Sequence, residues 1–129
     1  MEVVQFVRDN AMCRVRKKTA KPLSTGIARR VVERAVAIAF KVPLKELRAT
    51  TRREARIAFA RQVAMHLVHV AYGFTLTQVG IMFRRDRTTV AHACIIIEDR
   101  RDDLAFDVLL DNLETAVVCL TSALNSFKV

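Results

Sequence analysis

The chain has 129 residues, 52% of them hydrophobic and 27% charged, with a net charge of +9. This length supports one domain with a modest core, and the composition excludes a disordered chain. Only two prolines and three glycines are available for turns, strand-like alternation is scarce, and Ala, Leu, Arg and Glu are plentiful, so an all-α fold is expected.

Residues 1–23 read as a basic N-terminal arm. They contain no long apolar stretch of the kind a signal peptide needs. The run from Arg14 to Lys21 has no apolar face and reads equally as an arm lying on phosphates or as a solvated tail. From Ser24 the pattern turns helical. Ser24 or Thr25 can cap a helix running to about Phe40, with Ile27, Val31, Ala35 and Ile38 facing inward. Val42-Pro43 breaks it, and Pro43 suits the first position of a short helix, LKEL.

Thr51-Arg-Arg-Glu54 matches a capping box and predicts a long helix ending near Tyr72-Gly73. Its inward stripe is Ile57, Ala60, Ala64, Leu67 and Ala71, and Gly73 suits the left-handed position past its end. Thr75-Leu-Thr-Gln78 is a second capping box, opening a short helix from Leu76 to Phe83. Leu76, Val79 and Phe83 face inward, and Gly80 is small where another helix crosses closely.

A further helix begins near Arg87, with Val90, Ala93, Cys94 and Ile97 inward at i, i+3, i+4, i+7 spacing. At about 100° per residue, Thr88, Ala91, His92 and Ile95 lie opposite this stripe. Asp86 can cap the helix, which leaves Arg87, Thr88 and Thr89 in its first turn. A short helix, a tight turn and a second helix with polar groups at its start is the pattern of a helix-turn-helix. Ile95 and Ile96 either pack under the C-terminal helix or form a dimer surface. That last helix runs from Leu104 to about Phe127, with Leu104, Val108, Leu113, Val117, Leu120 and Leu124 as apolar positions. Its uncharged stretch AVVCLTSAL is either buried against the domain or paired with a second copy.

Charge is divided along the chain. Residues 1–97 carry +13 and residues 98–129 carry −4. A basic body with an acidic tail points to a polyanion partner for the body. Three widely spaced cysteines, Cys13, Cys94 and Cys119, read as unpaired and fit a reducing compartment. No run reaches the roughly 20 apolar residues that a membrane span needs, so no membrane partner is expected. The expected location is cytoplasmic and nucleoid-associated.

Three words in the sequence, RQVAMHL (Arg61–Leu67), TLTQVGIMF (Thr75–Phe83) and RDRTTVAHAC (Arg85–Cys94), followed by Ile97-Glu98, carry a resemblance. Over Ala28 to Asp103 the chain resembles the C-terminal DNA-binding domain of the bacterial replication initiator DnaA. The resemblance implies a compact six-helix domain, Trp-repressor-like in its helix-turn-helix, spanning residues 24–103. Residues 104–129 are then an added packing or dimerisation helix. It implies that Asp86, Arg87 and Thr88 read bases in the major groove of double-stranded DNA. Thr89, Arg84 and Arg85 hold phosphates, and the basic stretch with Arg52, Arg53 and Arg56 lies along the backbone. Arg61 is placed there too, with a rival role inside the domain as a buried ion-pair partner. Thr75, Thr77 and His92 complete the backbone set.

The residue chemistry suits these roles. Threonine hydroxyls and helix N-terminal N–H groups suit phosphates, an arginine suits the O6/N7 edge of guanine, and Asp86 can accept from cytosine N4. The chain departs from the family pattern at several places. Arg87 replaces a histidine, Phe59 takes the place of an arginine that enters the minor groove, the turn is one residue shorter with Arg84-Arg85 for Gly-Gly-Arg, and Ile95 and Ile96 replace basic residues. Arg87 is expected to shift the base preference toward guanine.

No phosphate-binding GxxxxGK[ST] motif occurs in the chain, so ATP-driven opening of an origin is not expected of it. The pair His66 and His69, with His92 and Cys94, has weak metal-ligand spacing and reads as structural or surface. Cys94 and His92 point to different faces, so no nucleophile pair is formed. No enzyme activity, metal or cofactor is expected. The expected function is a sequence-specific double-stranded DNA-binding transcription regulator. One rival is a replication-origin regulator competing with the initiator. Another is an interaction module whose C-terminal helix recruits RNA polymerase or another transcription protein, and a homodimer would lengthen the DNA site read.

Overall fold

The computed structural model describes residues 21, 24–49 and 54–127. Among these, six α-helices and one 3₁₀ turn account for the regular structure, and no strand occurs. The helices are α1 (Thr25–Phe40), α2 (Leu44–Leu47), α3 (Ala55–Tyr72), α4 (Leu76–Phe83), α5 (Arg87–Asp99) and α6 (Leu104–Ser126), with the 3₁₀ turn Arg100–Asp102 before α6. The basic arm up to residue 20 and the arginines Arg52 and Arg53 lie outside the described residues.

Helix α3 is the axis of the domain and touches each of the other five helices. Its expected stripe of Ile57, Ala60, Ala64, Leu67 and Ala71 is buried, but so are Val63, Met65, His66 and Val68. A helix enclosed on most sides cannot be strongly amphipathic, and its alanines let neighbours approach closely. Its start corrects the capping-box reading. Glu54 is the N-cap itself, with extended backbone (ψ 154°), and not the third helical residue that a box requires. Thr51 lies outside the described residues. The far end follows expectation, because Gly73 takes a left-handed φ of 75° and its N–H returns to the His69 carbonyl.

Helix α1 is capped by Ser24, whose hydroxyl accepts from the Ile27 N–H at 3.1 Å. It buries the i, i+4 row Ala28, Val32 and Val36, together with Val31. Ile38, expected inward, is 79% exposed, since the packing against α3 and α6 selects a row rotated from the one read in the sequence. Pro43 is the N-cap of α2 and not its first helical residue.

Helix α6 shares this core. Phe106, Leu110, Leu113 and Val117 are buried at steps of four, three and four, whereas Leu104 and Leu120, expected inward, are exposed. Two polar anchors fix it. Tyr72 and Thr121 share a buried hydrogen bond of 2.8 Å, and Arg101 bridges Glu98 and Asp107. Ile95 is 59% exposed and so does not pack under α6. Cys94 carries a free thiol but Cys119 is disulfide-bonded, which corrects the reading of three unpaired cysteines. Pairing depends on which segments the fold brings together, and spacing along the chain does not reveal that. Among the described residues, no helix is long and apolar enough to cross a membrane.

A buried imidazole ties α3 to α5. His66 is fully enclosed, and its Nε2–H donates to the Glu98 carboxylate at 2.6 Å. Its Nδ1 has no hydrogen-bond partner among the described residues. Burial lowers the imidazole pKa below 6.5, outweighing the opposing pull of Glu98. The folded chain therefore keeps His66 neutral while the unfolded chain takes up a proton as pH falls through about 6.5. Stability is expected to fall between pH 7.5 and 5.5, read as a lower urea midpoint. His66→Met should flatten that dependence, and an unchanged slope in the variant would show that His66 is not its source.

Candidate nucleic-acid interface

The geometry of the turn between α4 and α5 starts with Thr75. Its hydroxyl accepts from the Gln78 N–H at 3.1 Å while the Gln78 side chain accepts from the Thr75 N–H at 2.8 Å, which completes the expected capping box. After eight helical residues α4 stops at Arg84, which takes a left-handed backbone (φ 56°, ψ 48°). The Arg85 N–H then bonds the Gly80 carbonyl at 2.9 Å and the Arg84 N–H reaches Ile81 at 3.4 Å. These bonds use carbonyls that the end of a helix would otherwise leave bare. Gly80 is needed here because a Cβ at that position would stand 2.6 Å from the Arg85 carbonyl oxygen. The close approach that the sequence assigned to a crossing helix is made by the backbone of the turn.

Asp86 is the N-cap of α5, yet its side chain makes no capping hydrogen bond. The first backbone bond of the helix runs from the Val90 N–H to the Asp86 carbonyl at 3.1 Å. The N–H groups of Arg87, Thr88 and Thr89 therefore lack helical partners and carry the positive end of the helix dipole. Asp86, Arg87, Thr88 and Thr89 are all exposed, as are Arg84 and His92, and Arg85 is half-exposed. Val90, Ala93 and Ile97 hold the opposite face in the core. The structure thus brings Arg84 to Thr89 together at one exposed helix start. Thr75 and Thr77 are exposed at the start of α4.

Two of the expected backbone-contacting arginines have internal work. Arg61 is 7% exposed, and its Nε and Nη2 donate to the carbonyls of Leu47 and Glu46 at 3.1 and 3.2 Å. The end of α2 needs donors and Arg61 supplies them from α3, so it is a structural residue rather than a surface phosphate contact. Arg56 is exposed, but its Nη1 donates to the Lys41 carbonyl at 3.0 Å at the end of α1. His66 and His69, the pair with weak metal-ligand spacing, are also occupied, His66 by Glu98 and His69 by the Phe74 carbonyl at 2.7 Å.

The sequence reading missed Glu33. It is 2% exposed on α1, and its two oxygens accept from Arg29 Nε at 3.1 Å and Arg48 Nε at 2.9 Å. Arg29 continues to the Met82 carbonyl at 2.8 Å, and so fixes the last turn of α4. The i, i+4 spacing of Arg29 and Glu33 was the available signal.

Residues 29–97 match the protein-family model described as "Bacterial dnaA protein helix-turn-helix". The chain is similar to the chromosomal replication initiator protein DnaA of Acinetobacter baumannii (strain AYE), at 37% identity over 84 residues, covering 64% of this chain and 18% of that protein. It is similar to DnaA 2 of Chlamydia muridarum at 34% over 79 residues, covering 61% and 16%. With DnaA 1 of Protochlamydia amoebophila it shares 37% over 67 residues, covering 52% and 15%. The chain spans less than a fifth of the length of these curated relatives. Since the family model covers more than half of its residues, the chain belongs to the bacterial DnaA helix-turn-helix family. A domain of this family supports DNA binding.

The turn gives a paired expectation. Gly80→Ala drives a side chain into backbone and should cost about 1–3 kcal/mol in urea unfolding. Arg84→Gly removes the left-handed strain of a non-glycine residue and should stabilise by up to about 1 kcal/mol. A stabilised Gly80→Ala, or an Arg84→Gly that unfolds more readily than the parent, would contradict this geometry.

Proposed function

We propose, from a chain that belongs to the DnaA helix-turn-helix family, a sequence-specific double-stranded DNA-binding protein that acts as a transcription regulator. The observation that carries this reading is the exposed run Asp86–Thr89, with N–H groups of Arg87, Thr88 and Thr89 that have no helical partner, at the start of a helix whose other face is fixed in the core. Placed in the major groove, Arg87 donates to guanine O6 and N7, Asp86 accepts from cytosine N4, and Thr88 contacts either kind of base edge. Thr89, Arg84 and Arg85 hold flanking phosphates, with Thr75, Thr77 and His92 on the same backbone path. Arg52 and Arg53 extend that path in a stretch outside the described residues.

Regulation of transcription, in preference to a role at the initiator's own sites, is supported by the chemistry of the reading helix. Arg87 stands at the position where the family resemblance places a histidine, and exposed Ile95 stands where it places a basic residue. A reader altered at both a base contact and a backbone contact favours different DNA. The view of α6 as a free recruiting helix receives less support, because Phe106, Leu110 and Val117 belong to the core and Asp107 is held by Arg101.

A genome-wide map of the bound protein tests the function. Peaks at a few promoters sharing one motif are expected, whereas a cluster at the replication origin would replace this reading with that of an origin regulator. At the level of one side chain, Arg87→Ala should lose about 1–3 kcal/mol on the preferred duplex and relax selectivity at one base pair. Fluorescence anisotropy on a set of single-base variants checks this, and an equal loss on every duplex would remove Arg87 from the base-reading set.

A further inference from the structure

Beside the α4–α5 turn lies a cleft of about 150 Å³ lined by Arg29, Glu33, Arg48, Arg61, Arg84 and Arg85 among its walls. Five arginines and one glutamate line it, a formal +4 at a concave site. Both oxygens of that carboxylate are already taken, one by Arg29 and one by Arg48. Arg48 uses only its Nε, and its Nη1 and Nη2 make no hydrogen bond among the described residues. The Arg84 guanidinium makes none either, while Arg85 Nη1 donates to the Arg84 carbonyl at 3.3 Å and keeps its remaining donors. A concave site with such an excess of like charge focuses its field and attracts an anion.

We infer that this cleft is a phosphate-binding site in which Arg48 presents its free guanidinium edge, with Arg84 and Arg85 closing from the turn. A tetrahedral oxyanion fits better than a carboxylate, because donors approach from α1, α2 and the turn at once and the arginine fork matches phosphate geometry. Arg61 and Glu33 form the buried wall that keeps the donors in place. The phosphate has two sources, a backbone phosphate of bound DNA or a free phosphate group. The DNA source rests on the reading under Proposed function, whereas the free source does not.

The test uses the full chain. Inorganic phosphate is titrated without DNA while the arginine Nε–Hε signals are followed by NMR. Separately, the salt dependence of binding to a generic duplex is measured for the parent and for Arg48→Gln. Saturable shifts at Arg48 and Arg29 that vanish in Arg48→Gln establish a site for free phosphate. If those shifts are absent, a salt slope smaller by about 0.9 in Arg48→Gln, with a several-fold loss on every duplex alike, establishes a DNA phosphate in the cleft. A parent that shows neither shifts nor a slope difference overturns the proposal, even if it binds DNA well. A parent that binds phosphate but no duplex keeps the cleft and removes the DNA reading. If Arg48→Gln alone unfolds, Glu33→Gln with Arg48→Gln repeats the comparison without a bare buried carboxylate.

Discussion

The carbonyl oxygen of Arg85 lies where a side chain on residue 80 would begin, 2.6 Å from an added Cβ. Everything that α5 presents to its surroundings depends on that approach. It allows α4 to end and α5 to start within three residues, Arg84 to Asp86. It thereby fixes the direction in which the first turn of α5 points. The turn is shorter than the glycine-rich pattern of the family resemblance. It is closed by an arginine in left-handed backbone, a conformation that usually falls to glycine. An arginine kept at a strained position gains something other than stability, and here it adds charge beside the helix start.

Buried charge supports this turn from behind. Glu33 holds Arg29 and Arg48, and Arg29 grips the end of α4 through the Met82 carbonyl. Arg61 does the same for the end of α2. Truncating one member of such a network costs more than its bonds alone, because a partner is left buried and uncompensated. The basic side chains divide into those that build the scaffold and those that it displays. At the other end the acidic residues are also partly internal, since Glu98 holds His66 and Arg101, and Arg101 holds Asp107. The acidic tail is thus partly neutralised by its own Arg101, and Glu98 ties it to the neutral His66 of the body.

Much of the helix order was legible because each boundary carries local chemistry. Ser24, Thr75 and Gly73 act through hydrogen bonds or backbone angles within four residues, and all three act as read. The inward stripe of α5 was legible for the same reason, as its period is set by one helix. What failed depends on neighbours. The faces that α1 and α6 bury are chosen by packing on α3, so Ile38 and Leu120 are exposed despite fitting a plausible stripe. The internal role of Arg61 was one of its two readings, but the carbonyls it holds and the burial of Glu33 arise from contacts between α1, α2 and α3, and no periodicity in the sequence encodes them. The run Asp86–Thr89 was legible because a helix start needs no distant partner to expose its N–H groups.

The central claim is that the start of α5 reads base sequence in duplex DNA. It is tested most directly by offering the pure protein a random pool of duplexes and sequencing what it retains over successive rounds. Convergence on one short motif with a fixed guanine, and loss of that guanine from the motif when Arg87→Ala is used, is the expected result. Retention of duplexes with no shared motif would contradict the claim and leave only charge-driven binding.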